Sequence, residues 1–257
     1  LTVPRIYFPG IMGKGELFEL GGENLRYVKS VLRMKKGDHL VLFDGAGWEY
    51  EAVIKNFSAD GINVEVLGKN RIEDDAPRIT VLQALPKANK MDSIIRKATE
   101  LGAHRIIPFR SARSVPQLTA DKARVRVSRW RSIATEAARQ CGRADIPEVN
   151  DILSFEEMLA SAGGGALKII FWEEESERRI KKLLRDNRYE GEKNITVMIG
   201  PEGGFSREEV ESAVKRGFIS VSLGRNVLKV ETAAVTILSI IQYELGIFGG
   251  EPEGGKL

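Results

Sequence analysis

Cysteine is nearly missing from this chain. Cys141 is the single one in 257 residues, so an internal disulfide is excluded and a reducing compartment is expected. Histidine is almost as scarce: only His39 and His104 occur. With no H-E-x-x-H pair and one thiol, a catalytic metal lacks a ligand set, and both histidines read as structural. No stretch reaches the roughly 18 uncharged apolar residues of a membrane span, and Leu1 to Glu16 has neither a basic n-region nor a long apolar core. A soluble, cytoplasmic protein with no membrane attachment is expected. Neither G-x-G-x-x-G nor G-x-x-x-x-G-K-[ST] follows any of the strands expected below, which leaves a Rossmann dinucleotide site and a P-loop without support. Hydrolysis by a nucleophile and base has no visible pair. The chemistry is therefore expected to come from a bound small molecule.

What is present is charge, unevenly placed. The whole chain carries a formal net charge of only +3, yet Arg105 to Arg143 carries 10 basic and 2 acidic side chains. Nine of those ten cations are arginine, the side chain suited to bidentate phosphate contact and to stacking on bases. The stretch reads either as a nucleic-acid footprint or as a solvated helix face.

Before Pro77 the segments Asp38 to Asp44, Gly47 to Asn56 and Gly61 to Leu67 are short, β-branched and divided by turn dipeptides. They predict a small β-barrel over residues 1–72, followed by a linker from Arg71 to Ala76. After Pro77 the rhythm alternates. Strands are expected at Arg78 to Leu85, Arg105 to Phe109, Leu167 to Trp172, Ile195 to Ile199 and Phe218 to Leu223. Helices are expected at Met91 to Leu101, Asp121 to Cys141, Glu177 to Asp186 and Thr232 to Leu245, with capping boxes at Ser154/Glu157 and Ser206/Glu209 opening two more. The pattern predicts an α/β domain over 77–249, a mostly parallel sheet covered by helices. Low complexity is limited to Gly163-Gly164-Gly165 and the Gly-rich tail. From Ala233 to Ile241 the last helix is uncharged, so burial on several sides, in the core or at an oligomer interface, is expected.

Gly200-Pro201-Glu202-Gly203-Gly204-Phe205 follows an apolar strand and ends at a capped helix. Three glycines and a proline there favour a backbone that approaches a ligand at a strand's carboxyl end, over a simple turn. A second loop, Leu223-Gly224-Arg225-Asn226-Val227-Leu228-Lys229-Val230-Glu231-Thr232-Ala233, brings polar groups to the same edge, although Glu231 and Thr232 are also suited to capping the last helix.

These motifs together resemble the RsmE family, the 16S ribosomal RNA uridine-N3 methyltransferases of the SPOUT superfamily. Leu32-Arg33 with Lys36-Gly37-Asp38 is similar to the family's N-terminal L-R-x-x-x-G-D, and Lys97 with Glu100-Leu101-Gly102 to its K-x-x-E-L-G. Arg129-Trp130, Glu136-Ala137 and Gln140-Cys141-Gly142-Arg143 look like its middle block. Asn226 and Lys229 depart from it, standing where the family usually has arginine. The resemblance implies a PUA-like barrel, a methyltransferase domain with a C-terminal trefoil knot, a homodimer, and a 16S rRNA substrate within the 30S subunit. It also implies S-adenosylmethionine as cofactor, released as S-adenosylhomocysteine, with no metal. The cofactor would lie against Phe171, Glu173, Gly200, Pro201, Glu202, Gly203 and Gly204, and against Leu223, Gly224, Val227, Leu228, Glu231, Thr232 and Ala233.

Given that implied chemistry, the imide proton at uridine N3 must leave before the nitrogen attacks. Glu136 or Glu231 at an ordinary carboxylate pKa of about 4 is a weak base for it. Arginine cannot take the proton but can stabilise charge growing on the flanking carbonyls. Arg113, Glu136, Arg139 and Arg143 are the catalytic candidates, with water as a possible proton acceptor. Arg5, Arg33, Lys36, Arg110, Arg126 and Arg129 are the RNA-contact candidates, chiefly to phosphates. Two alternatives stay open: a related enzyme modifying another RNA position, and a non-catalytic RNA-binding or ribosome-assembly protein.

Overall fold

The computed structural model describes residues 3–72, 76–115, 118–162, 167–189 and 191–248. They fall into two compact units, Leu1–Asp75 with Thr135–Ile146, and Ala76–Ala134 with Pro147–Leu257. The sequence division at 72/77 puts Thr135–Ile146 in the second unit, whereas its packing puts it in the first. Glu73 to Asp75 of the expected linker, Gly163 to Gly165, and the tail from residue 249 on lie outside the described residues.

In the first unit, strands β1 (Arg5–Tyr7), β2 (Leu17–Gly21), β3 (His39–Phe43), β4 (Trp48–Phe57) and β5 (Gly61–Arg71) make one sheet in the order β1-β3-β4-β5-β2. β1 runs parallel to β3, and the other pairs are antiparallel. Strict alternation on β4 explains its place: Tyr50, Ala52 and Ile54 are buried while Glu51 and Lys55 face water. They pack with Leu40, Leu42, Ile62 and Val64. A helical segment α1 (Glu23–Arg26), continued as a π-helical turn over Tyr27–Val31, adds Val28 to that core.

The second unit is a seven-stranded sheet of β6 (Arg78–Ala84), β7 (Ala103–Arg110), β8 (Glu148–Val149), β9 (Leu153–Ser154), β10 (Leu167–Phe171), β11 (Asn194–Ile199) and β12 (Ile219–Val221). Its order is β12-β10-β11-β6-β7-β8, with β9 also beside β7, and every pair is parallel. The central strands are almost continuously apolar because both faces are covered. Helices α2 (Lys90–Glu100), α4 (Phe155–Ser161), α5 (Ile180–Leu184), α6 (Arg207–Lys215) and α7 (Val230–Glu244) supply the covering, and residues 120–134 of α3 (Ala120–Cys141) belong to this unit. On α2, Met91, Ile94, Ile95 and Ala98 form the buried stripe. Both expected capping boxes form, at Ser154/Glu157 and Ser206/Glu209. The charged helix expected over Glu177 to Asp186 shrinks to the five residues of α5, around the buried Ile180 and Leu183.

Helix α7 buries Val230, Ala234, Ile237, Leu238, Ile241 and Gln242. Gln242 Nε2 donates to the Leu101 carbonyl at 2.9 Å. The next residue, Gly102, has φ +79°, and a Cβ there would lie 2.4 Å from that same nitrogen, so glycine is required twice over. The α7 N-cap is Lys229 and carries no side-chain cap; Glu231 lies in the first turn, so the cap expected from Glu231 or Thr232 does not form. Among the described residues no helix is long and apolar enough to cross a membrane.

Candidate active site

The loops that follow β10, β11 and β12 converge with the start of α2 at the carboxyl edge of the parallel sheet, around a cavity of about 350 Å³. This is the edge at which open α/β sheets take their ligands. The middle loop is held from several directions. Phe205, 1% exposed, anchors its end in the core, stacked 6.4 Å from Phe109, and Gly204 N–H donates to the Pro201 carbonyl at 3.0 Å. Gly204 has φ +67°, and a Cβ there would sit 1.7 Å from Glu173 Oε1. Only glycine lets the Glu173 carboxylate lie against this backbone.

Arg113 Nη1 donates to the Gly203 carbonyl of this loop at 2.9 Å. The segment carrying Arg113 is itself tied down, because Glu209, 6% exposed, accepts the Ala112 N–H through Oε1 at 2.8 Å and the Ser206 N–H through Oε2 at 2.9 Å. Lys90 Nζ lies 2.8 Å from Glu202 Oε1 and 3.6 Å from Glu231 Oε2. The Lys87 N–H also points at both Glu202 oxygens, at 3.2 and 3.1 Å. The hydrogen bond to Glu202 raises the Lys90 pKa. For Glu202, burial pushes the carboxyl up, but the bonds from Lys90 and the Lys87 backbone outweigh it and hold the group below its ordinary value. In the third loop the Ser222 hydroxyl accepts the Gly224 N–H and donates to the Gly224 carbonyl, both at 3.2 Å.

Of the expected cofactor contacts, Phe171, Glu173, Gly200, Pro201, Glu202 and Gly204 line the cavity, as do Leu223, Gly224, Val227, Leu228 and Ala233. Gly203, Glu231 and Thr232 are not on its wall. Lys90, Trp172, Ile199, Ser222 and Val230 are, without having been expected, together with Arg225, Asn226 and Lys229. Trp172 and Ile199 adjoin expected residues and were within reach of the motifs. Lys90 had no signal, since its partners stand more than a hundred positions downstream.

The catalytic candidates divide between the units. Arg113 belongs to the second, whereas Glu136, Arg139 and Arg143 belong to the first. Arg139 binds the Glu136 carboxylate through Nε, at 2.9 Å, and Nη2, and its guanidinium lies 4.2 Å from the centre of the Tyr27 ring. The Glu136 bonds raise its pKa further. Arg143 pairs with Asp145, and its carbonyl accepts from Arg5 Nη2 at 3.0 Å. Arg5 also pairs with Glu49 at 2.6 Å. Arg33, at φ +53°, and Lys36 are exposed on the first unit. On the second, Arg110 is exposed, Arg126 half-buried, and Arg129 Nη2 lies 2.7 Å from Asp92. Among the described residues no cluster of three or more His, Cys, Asp or Glu side chains is placed to hold a metal.

A parallel sheet with a ligand cavity at its carboxyl edge is a plan that many α/β enzymes share. A family model described as an RNA methyltransferase domain matches residues 74–242, and one described as an RNA methyltransferase PUA domain matches residues 20–67. The chain is 32% identical to the ribosomal RNA small subunit methyltransferase E of Bacillus subtilis (strain 168), with 91% of this chain and 93% of the relative covered. A methyltransferase of Legionella pneumophila, solved with the bound cofactor SAM, superposes with a TM-score of 0.84 at 32% identity, covering 95% of this chain and 98% of that one. The ribosomal RNA small subunit methyltransferase E of Neisseria gonorrhoeae, solved bound to S-adenosyl methionine, gives 0.84 at 28% identity over 94% and 98%. The chain belongs to the ribosomal RNA small subunit methyltransferase E family.

Proposed function

We propose that this protein transfers a methyl group from S-adenosylmethionine to N3 of a specific uridine in 16S ribosomal RNA of the 30S subunit. The observation that carries the reading is the cavity between the Gly200–Phe205 loop and the Leu223–Ala233 loop. Its volume of about 350 Å³ suits a nucleoside with an amino-acid tail. Ile199, Leu223, Leu228 and Val230 offer apolar walls for a base, and Glu173 and Glu202 offer negative charge to a cation. Trp172, on the cavity wall, has its Nε1 buried without a hydrogen-bond partner, as suits a group that meets a polar ligand. When bound, the cofactor supplies an electrophilic methyl on a sulfonium.

The chain's own residues position and polarise. Arg113, fixed by its bond to Gly203, uses one of five N–H donors on the loop and keeps the others for the uracil carbonyls, where negative charge grows as the N3 proton leaves. Glu202 is held below its ordinary pKa, and Glu136 already accepts from Arg139 and from Gln140 Nε2 at 2.9 Å. Glu202 is thereby a poor base at neutral pH and the Glu136 oxygens are already occupied, which favours water as the proton acceptor. The exposed cations Arg33, Lys36 and Arg110, with Arg126 and Arg129 on α3, would hold RNA phosphates, and the target base would be unstacked to present N3.

The reading includes a homodimer, a closed PUA-like barrel and a C-terminal knot through which α7 is threaded. The uncharged Ala233–Ile241 stretch and the exposed Tyr243, Ile247 and Phe248 that follow support the dimer. The test is transfer of labelled methyl to 30S particles and to naked 16S RNA. Incorporation into neither, by protein that binds the cofactor, would contradict it.

A further inference from the structure

Lys90 stands between the two loops that frame the cavity, and each loop offers it a carboxylate. Its ammonium is 2.8 Å from Glu202 Oε1 on the first and 3.6 Å from Glu231 Oε2 on the second. The Glu231 oxygen is buried with no hydrogen bond of its own, so the Lys90 charge is the compensation it receives. The lysine side chain is itself one-third exposed on the cavity wall. The approach to it is fixed rather than loose. Ala88 takes φ +55°, a left-handed conformation rare for alanine, and the neighbouring Lys87 N–H reaches the same Glu202 carboxylate. A surface lysine serving only solubility would not be delivered through a strained turn onto two converging acids.

The consequence is electrostatic. The sulfonium donor carries one more positive charge than the thioether left after transfer. Two carboxylates beside the cavity favour the cation, and a cation placed between them cancels part of that preference. A cavity of this volume keeps any ligand within about one Debye length of Lys90, roughly 8 Å at physiological ionic strength. We propose that Lys90 is a specificity-determining residue that, by bridging Glu202 and Glu231, limits the site's preference for the sulfonium donor over its neutral thioether product. The inference rests on the cofactor reading above and concerns the ratio of two affinities.

The test is calorimetric titration of the full chain with S-adenosylmethionine and with S-adenosylhomocysteine, in wild type, Lys90→Gln and Glu202→Gln. Removing the lysine is expected to shift the affinity ratio toward the sulfonium by about fivefold, the effect of one charge about one Debye length away at a near-surface dielectric once salt screening is included. Removing Glu202, itself on the cavity wall, is expected to shift the ratio the other way, and Lys90→Met, which also removes the charge, decides if Lys90→Gln fails to fold. An unchanged ratio would overturn the inference. So would equal weakening of both ligands by Lys90→Gln, which would make Lys90 an anchor for a group the two share. Wild-type protein that binds neither ligand would refute the cofactor reading itself, a separate result.

Discussion

Glu209 accepts the backbone N–H of Ala112 at 2.8 Å across almost a hundred residues of chain. The same carboxylate closes the capping box of α6 with Ser206, so one buried acid fastens the Arg113 segment to the end of the glycine loop. Glu209→Ala leaves two inward N–H groups without an acceptor and is expected to destabilise the protein by about 1–3 kcal/mol. Glu209→Gln keeps one acceptor oxygen and is expected to lose less. Urea unfolding of the two variants gives the comparison.

Arg113 depends on that fastening. Arg113→Ala is expected to lower methyl transfer at saturating cofactor by tenfold or more, with cofactor affinity within a few-fold of wild type, because the side chain bonds the Gly203 carbonyl and is not among the residues that line the cavity. Arg139→Ala and Arg143→Ala, measured alongside, separate this role from those of the ion-paired arginines of the first unit. Unchanged turnover in all three would remove arginine from the chemistry.

Gly204→Ala introduces a Cβ 1.7 Å from Glu173 Oε1 at φ +67°. It is expected to weaken cofactor binding by more than tenfold. Adding Glu173→Ala relieves the clash but not the backbone strain, so the double variant is expected to recover only part of the loss. Full recovery would show that the collision alone matters.

The Lys90–Glu202 pair sets a pH dependence whose sign follows from its shifts. Glu202 sits below its ordinary 4.5, so its contribution to stability is present above that value and fades as pH falls through the lower folded-state pKa. Lys90 sits above its ordinary 10.5, so its contribution is complete below that value and is lost only on strongly alkaline titration. Glu202→Gln is therefore expected to flatten the acid limb of the stability profile below about pH 5, as read by thermal melts. A parallel offset at every pH would contradict this.

The parts of this arrangement legible in the sequence are those with local signals. The capping boxes, the strand-to-helix rhythm after Pro77 and the glycine loop each lie within a few residues, while the eleven expected residues that line the cavity were implied by the resemblance the motifs carry. The two-residue β8 and β9 are too short to show a period, and β1 and β2 bury one residue each, Ile6 and Leu20. They exist because of their neighbours in the sheet. The Ser206/Glu209 box was readable, but the bond from the other Glu209 oxygen to Ala112 was not, nor was the Lys90 bridge. Both join residues that only the fold brings together.

RNA binding is expected to depend steeply on salt. If about five phosphates are neutralised, log affinity for single-stranded target falls against log salt with a slope of roughly −3.5. Removing one phosphate-contacting cation, as in Lys36→Ala, reduces that slope by less than one. Binding indifferent to salt would leave the arginine-rich stretch a solvated surface.

The position of the transferred methyl group defines the proposed activity, and mapping it decides the matter. 30S particles treated with the protein and S-adenosylmethionine are digested and the modified nucleoside identified and located. One 3-methyluridine, in 16S ribosomal RNA, is expected. A methyl on another atom or another nucleotide type, or in the large-subunit RNA instead, would contradict it.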